Sequence, residues 1–137
     1  MKSEHKKIQK WVKSKYSKKF DVCAEAIDGK NRLPNKEKHV YQPDVVLKRK
    51  KSGDIAYIIE VENDPVRKAL VGASILADCS VRFFQKTKPI LIFVIYSKDG
   101  IKAISNFEEK LKIAKEYCPK LKDICVYCIN DFKKKLL

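Results

Sequence analysis

The chain has 137 residues, 45% of them apolar, and its 31 Lys and Arg against 17 Asp and Glu give a formal charge of +14. That length makes one domain, residues 1–137, able to bury roughly two-thirds of the surface its unfolded form exposes, so neither a disulfide scaffold nor a disordered chain is expected. No stretch is apolar enough to cross a bilayer and the charged start MKSEHKK is no secretory signal, so no membrane partner and an intracellular (cytoplasmic) place are expected.

The basic excess would draw a polyanion, most often nucleic acid, through phosphate contacts and counterion release. A lysine-rich solvated surface is the competing explanation. In chain order, Ile8, Trp11, Val12 and Tyr16 form a helical stripe among lysines over residues 3–19, with Ser3 as N-cap and Glu4 in the first turn. Phe20 to Ile27 alternates as a strand, with Asp21, Cys23 and Glu25 on one face. Asp28 to Gln42, carrying Gly29, Asn31, Pro34 and Asn35 and several cations, reads as a long basic loop.

Val45-Val46-Leu47 and Ile55 to Val61 are strand runs joined by the charged turn Lys50-Lys51-Ser52-Gly53-Asp54. Glu60 and Glu62 are two residues apart, so strand alternation puts both on one face while Ile59 and Val61 point the other way. Asp44, after Pro43 at the start of the neighbouring run, brings a third acid to the same edge. Three carboxylates so placed repel unless a cation or a proton lies among them, and an all-oxygen set suits Mg²⁺ or Mn²⁺ better than zinc. A solvated strand face is the ordinary reading of Glu-x-Glu, but Tyr57-Ile58-Ile59 is too apolar for an exposed edge.

Asn63-Asp64-Pro65 starts a second helix, running to about Cys79 and apolar on most sides, hence expected to be largely buried. Lys88-Pro89 opens a central strand, Ile90 to Tyr96, and Asp99-Gly100 leads into a third helix, about Ile101 to Cys118, ended by Pro119. Ile124 to Ile129 is the last strand, before a basic tail, DFKKKLL. The five cysteines read as small buried hydrophobes; Cys125 and Cys128, on a strand, would face opposite ways and make no zinc half-site.

The resulting order, α-β-β-β-α-β-α-β, predicts an α/β domain with a mixed β-sheet and helices on both faces. Together with Pro43-Asp44, the hairpin and the triplet Glu60-Val61-Glu62, it resembles the PD-(D/E)XK nuclease superfamily of restriction endonuclease-like and Holliday-junction resolvase-like proteins. The resemblance implies a metal-dependent endonuclease, in which Asp44 and Glu60 bind Mg²⁺ or Mn²⁺ and Glu4 or Glu25 assists. DNA is the implied partner. The superfamily's third position is usually lysine; here it is Glu62, able to take a proton from water or bind metal but not to supply positive charge. Lys48, four residues after Asp44, is the first substitute and Lys68 the second. Lys30, Arg32, Lys36 and Lys38, with Arg49, Lys50 and Lys51, form the implied nucleic-acid rim. Loss of the lysine leaves a non-catalytic nucleic-acid-binding protein as the alternative, and a homodimer stays open. His5, adjoining Glu4, could serve as a proton carrier or secondary ligand, against the plainer reading of a solvated histidine; for it and His39 the sequence identifies no partner.

Overall fold

The computed structural model describes residues 2–35, 38–63 and 67–137, with backbone alone at residues 2–3, 34–35, 38–40 and 67–68. The proposed N-cap Ser3, the helix start Asp64-Pro65, and the side chains of Lys36, Lys38, His39 and Lys68 therefore lie outside what is described. Five strands form one sheet: β1 (Phe20–Ala24), β4 (Val45–Arg49), β5 (Ile55–Glu62), β6 (Ile90–Ile95) and β7 (Asp123–Cys128), adjacent in that order. β4 pairs antiparallel with both β1 and β5, whereas β6 pairs parallel with both β5 and β7. The sheet is thus mixed, and the parallel strands need crossovers. Helix α3 (Arg67–Phe84) joins β5 to β6; α4 (Lys98–Ala103) and α5 (Glu108–Glu116) join β6 to β7.

Both faces are covered, which is why β4 and β6 read as continuous apolar runs. Val46, Ile58, Leu91 and Phe93 pack under Leu70, Ala77 and Val81 of α3 and Leu111 of α5. The alternate residues Val45, Leu47, Ile59 and Val94 pack against Ile8, Val12 and Tyr16 of α1 (Lys2–Tyr16) and Phe132 of α6 (Ile129–Lys133). The domain is α/β, an open five-stranded sheet between two helical layers. Among the described residues no helix is long and apolar enough to cross a membrane.

Four local expectations need correction. The first strand stops at Ala24, because Asp28 Oδ2 accepts the Ala24 N–H at 3.0 Å and the chain coils into a single turn, α2 (Glu25–Asp28). The basic loop contains a small hairpin, β2 (Leu33–Asn35) and β3 (Lys38–Tyr41), which seats Leu33 and Tyr41 in the α3-side core. α3 is not buried all round: Ile75 and Phe83 are exposed, and one face alone meets the sheet. The third helix breaks between Ala103 and Phe107, where Ser105 and Asn106 favour caps and turns over a helix interior. At the far end, Cys125 and Cys128 are free thiols, and Cys128 caps α6 through its sulfur.

Candidate active site

β4 and β5 pair with Val45 opposite Ile59, which brings Asp44 beside Glu60 at the mouth of the sheet. The two acids are locked across the strands by each other's backbone. Asp44 N–H donates to Glu60 Oε1 at 2.9 Å, and Val61 N–H donates to Asp44 Oδ2 at 2.8 Å. Each carboxylate thus closes a hydrogen bond that the ladder leaves open where β4 begins.

Glu60 follows Ile58 on the α3 side and is only 8% exposed. Burial, and after it the Asp44 charge, pushes its carboxyl up to about 8. The Tyr41 hydroxyl is buried beside Glu60, near enough to pull that value down slightly, yet among the described residues it closes no hydrogen bond of ordinary geometry. Burial, and next the Glu60 charge, pushes the Tyr41 phenol upward in turn. Glu62, half-buried two residues on, is also raised, by burial and then by Asp44. Its end of β5 is held firmly: Tyr96 N–H donates to Glu62 O at 3.2 Å, and the Ser97 hydroxyl reaches Asn63 O at 2.7 Å.

Glu25 joins this group although it stands on α2 rather than on a strand. Its N–H donates to Asp44 O at 2.8 Å, and burial followed by hydrogen bonding to the Asp44 carboxylate raises its pKa. Asn31 sits behind, its side-chain amide donating to the carbonyls of Cys23, Pro43 and Asp44 at 3.0, 3.1 and 3.3 Å. One amide therefore fixes where the Pro43-Asp44 segment meets the end of β1.

From the other layer comes His5. Glu4 is exposed, and the residue after it turns inward: His5 Nε2 lies 3.2 Å from Asp44 Oδ2. His5 Nδ1 lies 3.2 Å from Gln9 Nε2, and Gln9, 1% exposed, accepts the Ala26 N–H at 2.8 Å on Oε1. The hydrogen bond to Asp44 raises the His5 pKa, and burial opposes it. Neither His5 nor Gln9, Asn31 or Tyr41 is a candidate by motif. The signal for His5 was the inward stripe Gln9, Val12, Tyr16, which extended one turn back lands on His5 and leaves Glu4 outside.

The proposed lysine substitute is elsewhere. Lys48 pairs with Asp21 on one side and Ile55 on the other, four residues from Asp44, or about 13 Å along a strand. Its side chain does not span that distance. Lys30 and Arg32 are exposed, and Lys30 is near enough to lower the Glu25 pKa. Arg49, Lys50 and Lys51 are exposed at the opposite end of β4, where they line a shallow pocket of about 490 Å³ with Lys19, Phe20 and Tyr57. The five residue steps from Asp44 to Arg49 span about 17 Å, and so do the eleven steps of α1 from His5 to Tyr16.

The donors suit a hard divalent ion, since they are oxygens whose mutual repulsion and burial hold protons that a cation would displace. They do not form a finished cage. Among the described residues no three His, Cys, Asp or Glu side chains are spaced to hold one ion together. Asp44 and Glu60 are the pair that would take it first, with Glu62 next. No family model, curated protein or solved structure matches this chain.

Proposed function

We propose that the domain hydrolyses phosphodiester bonds, in DNA before RNA, with Mg²⁺ or Mn²⁺ held by Asp44 and Glu60 on a restriction endonuclease-like scaffold of the PD-(D/E)XK kind. The observation that carries this reading is the reciprocal lock between Asp44 and Glu60, each carboxylate bonded to the other strand's backbone. Such a lock holds two repelling acids in fixed positions. The architecture is compatible with it: a helix, an antiparallel β1-β4-β5 set, a crossover helix and a parallel strand make a mixed sheet flanked by helices.

When bound, the cation supplies charge stabilisation at the phosphate and lowers the pKa of water. The chain's own groups do the rest. Glu62, its pKa raised by burial and by Asp44, is the residue that would take the proton of the attacking water. Lys30 and Arg32 hold phosphates beside acids that alone would repel them. A second reading, nucleic-acid binding without cleavage, draws on the distance of Lys48 from the acids and on Glu62 standing where the superfamily places lysine.

Nicking of supercoiled plasmid by the purified protein separates the two. Cleavage with Mg²⁺ or Mn²⁺ that disappears in Asp44→Asn and Glu60→Gln, both able to keep the lock, supports hydrolysis. Metal-independent binding with no cleavage of duplex, branched or single-stranded DNA supports the second reading.

A further inference from the structure

Four hydrogen-bonding groups in a row lead from the backbone of α2 to the Asp44 carboxylate, and their polarity is not free to vary. A backbone N–H can only donate, so the Gln9 atom 2.8 Å from Ala26 N is the carbonyl oxygen. The other end of that amide, the NH₂ group, therefore faces His5. A nitrogen 3.2 Å from an NH₂ donor must accept, which leaves His5 Nδ1 without a proton and puts the imidazole N–H on Nε2, 3.2 Å from Asp44 Oδ2. Turning the Gln9 amide over would point its NH₂ at the Ala26 N–H, two donors face to face at a buried position.

We propose that His5 is a positioning residue, held by Gln9 as the Nε2–H tautomer and used to anchor one oxygen of Asp44. Val61 N–H donates to that same Oδ2. With two donors on Oδ2 the carboxylate cannot rotate without losing both, and Oδ1 becomes the oxygen offered to a cation. The arrangement is that of a ligand oriented by outer hydrogen bonds, here with a histidine orienting a carboxylate. The part concerning the cation rests on the metal-dependent reading above; the tautomer does not.

The test uses the whole chain. Long-range ¹H–¹⁵N spectra of the metal-free protein, with His5 assigned by means of His39→Gln, should show neutral His5 protonated at Nε2 alone. Gln9→Glu replaces the NH₂ donor by an acceptor while still accepting from Ala26, and should drive His5 to the doubly protonated imidazolium. A Nδ1–H tautomer in the native protein, or rapid exchange between the two, overturns the proposal. Calorimetric titration with Mn²⁺ then reads the anchoring: His5→Ala should weaken binding about tenfold, and His5→Gln, whose amide can place an N–H near the Nε2 position, should recover most of it. Equal affinity of His5→Ala and the native chain also overturns it. If the native chain binds no Mn²⁺ at all, the proposed function fails, and the tautomer alone decides the positioning claim.

Discussion

Glu60 carries its proton at pH values where the unfolded chain has released its own. Its carboxyl moves from 4.5 to about 8 on folding, chiefly through burial and then through Asp44. The folded state binds more protons across that interval, so metal-free stability falls as pH rises from about 4.5 to about 8 and levels off above. Glu60→Gln removes the charge yet keeps an acceptor for the Asp44 N–H. It should leave urea stability nearly unchanged at pH 5 and raise it by roughly 2–4 kcal/mol at pH 9, while abolishing Mn²⁺ binding. Asn31 gives the opposite kind of case. Asn31→Ala takes the amide donor from the Cys23 and Pro43 carbonyls, while Asp44 O keeps the Glu25 N–H, and should cost about 1–2 kcal/mol in the same assay; Asn31→Asp, facing them with a carboxylate, should cost more. Of these residues Asp44, Glu60 and Glu62 were legible in the sequence, because a Pro-Asp and a Glu-x-Glu in apolar strands stand out against their surroundings. Asn31 was not, since a loop asparagine has no pattern until the ends of β1 and β4 are side by side.

Among the elements, strands read most clearly. β4, β5 and β6 each carry an apolar run that burial on two faces demands, and the boundaries expected for them hold within a residue or two. Helices and connections were less legible. The turn at α2 depends on one side chain, Asp28, reaching the Ala24 N–H, and it moves Glu25 off a strand without taking it out of reach of Asp44. The clamp after β5 was likewise invisible. Gly100 donates to the Ser97 hydroxyl at 2.8 Å, and a methyl group on Gly100 would overlap the Asn63 carbonyl oxygen. Gly100→Ala should therefore cost about 1–3 kcal/mol in thermal or urea unfolding. Because Asn63 follows Glu62, the same variant should also disturb the Glu62 carboxylate, seen as a changed ¹³C carboxyl shift. α3 holds its layer by another route: buried Asp78 accepts from Arg82 at 2.7 Å and from Lys120 N–H at 2.7 Å, tying the helix to the loop before β7.

Over the whole molecule, the +14 charge is divided between opposite ends of the sheet. Lys30 stands near enough to Glu25 to lower its pKa, whereas Arg49, Lys50 and Lys51 occupy the hairpin turn at the far end of β4. The hairpin is fixed by Gly53, whose φ of 75° suits glycine, and by hydrogen bonds of 2.8 Å from Gly53 N–H to Arg49 O and from Arg49 N–H to Asp54 O. Those three cations are thus presented together. Replacing all three by alanine should weaken DNA binding and reduce the slope of log affinity against log salt by about 2–3, as fluorescence anisotropy over a salt series would show. The fold of the variant should be unchanged, because all three side chains are exposed.

The stretch of α1 between His5 and Tyr16 also sets a ruler. Its span of about 17 Å equals some five base steps of duplex at 3.4 Å each. A fragment of three or four pairs lying on the acids would end short of the hairpin, and for it the native and triple-alanine proteins should be indistinguishable. Longer duplexes would gain grip once they cross that length, so the shortest DNA able to tell the two proteins apart measures the helix.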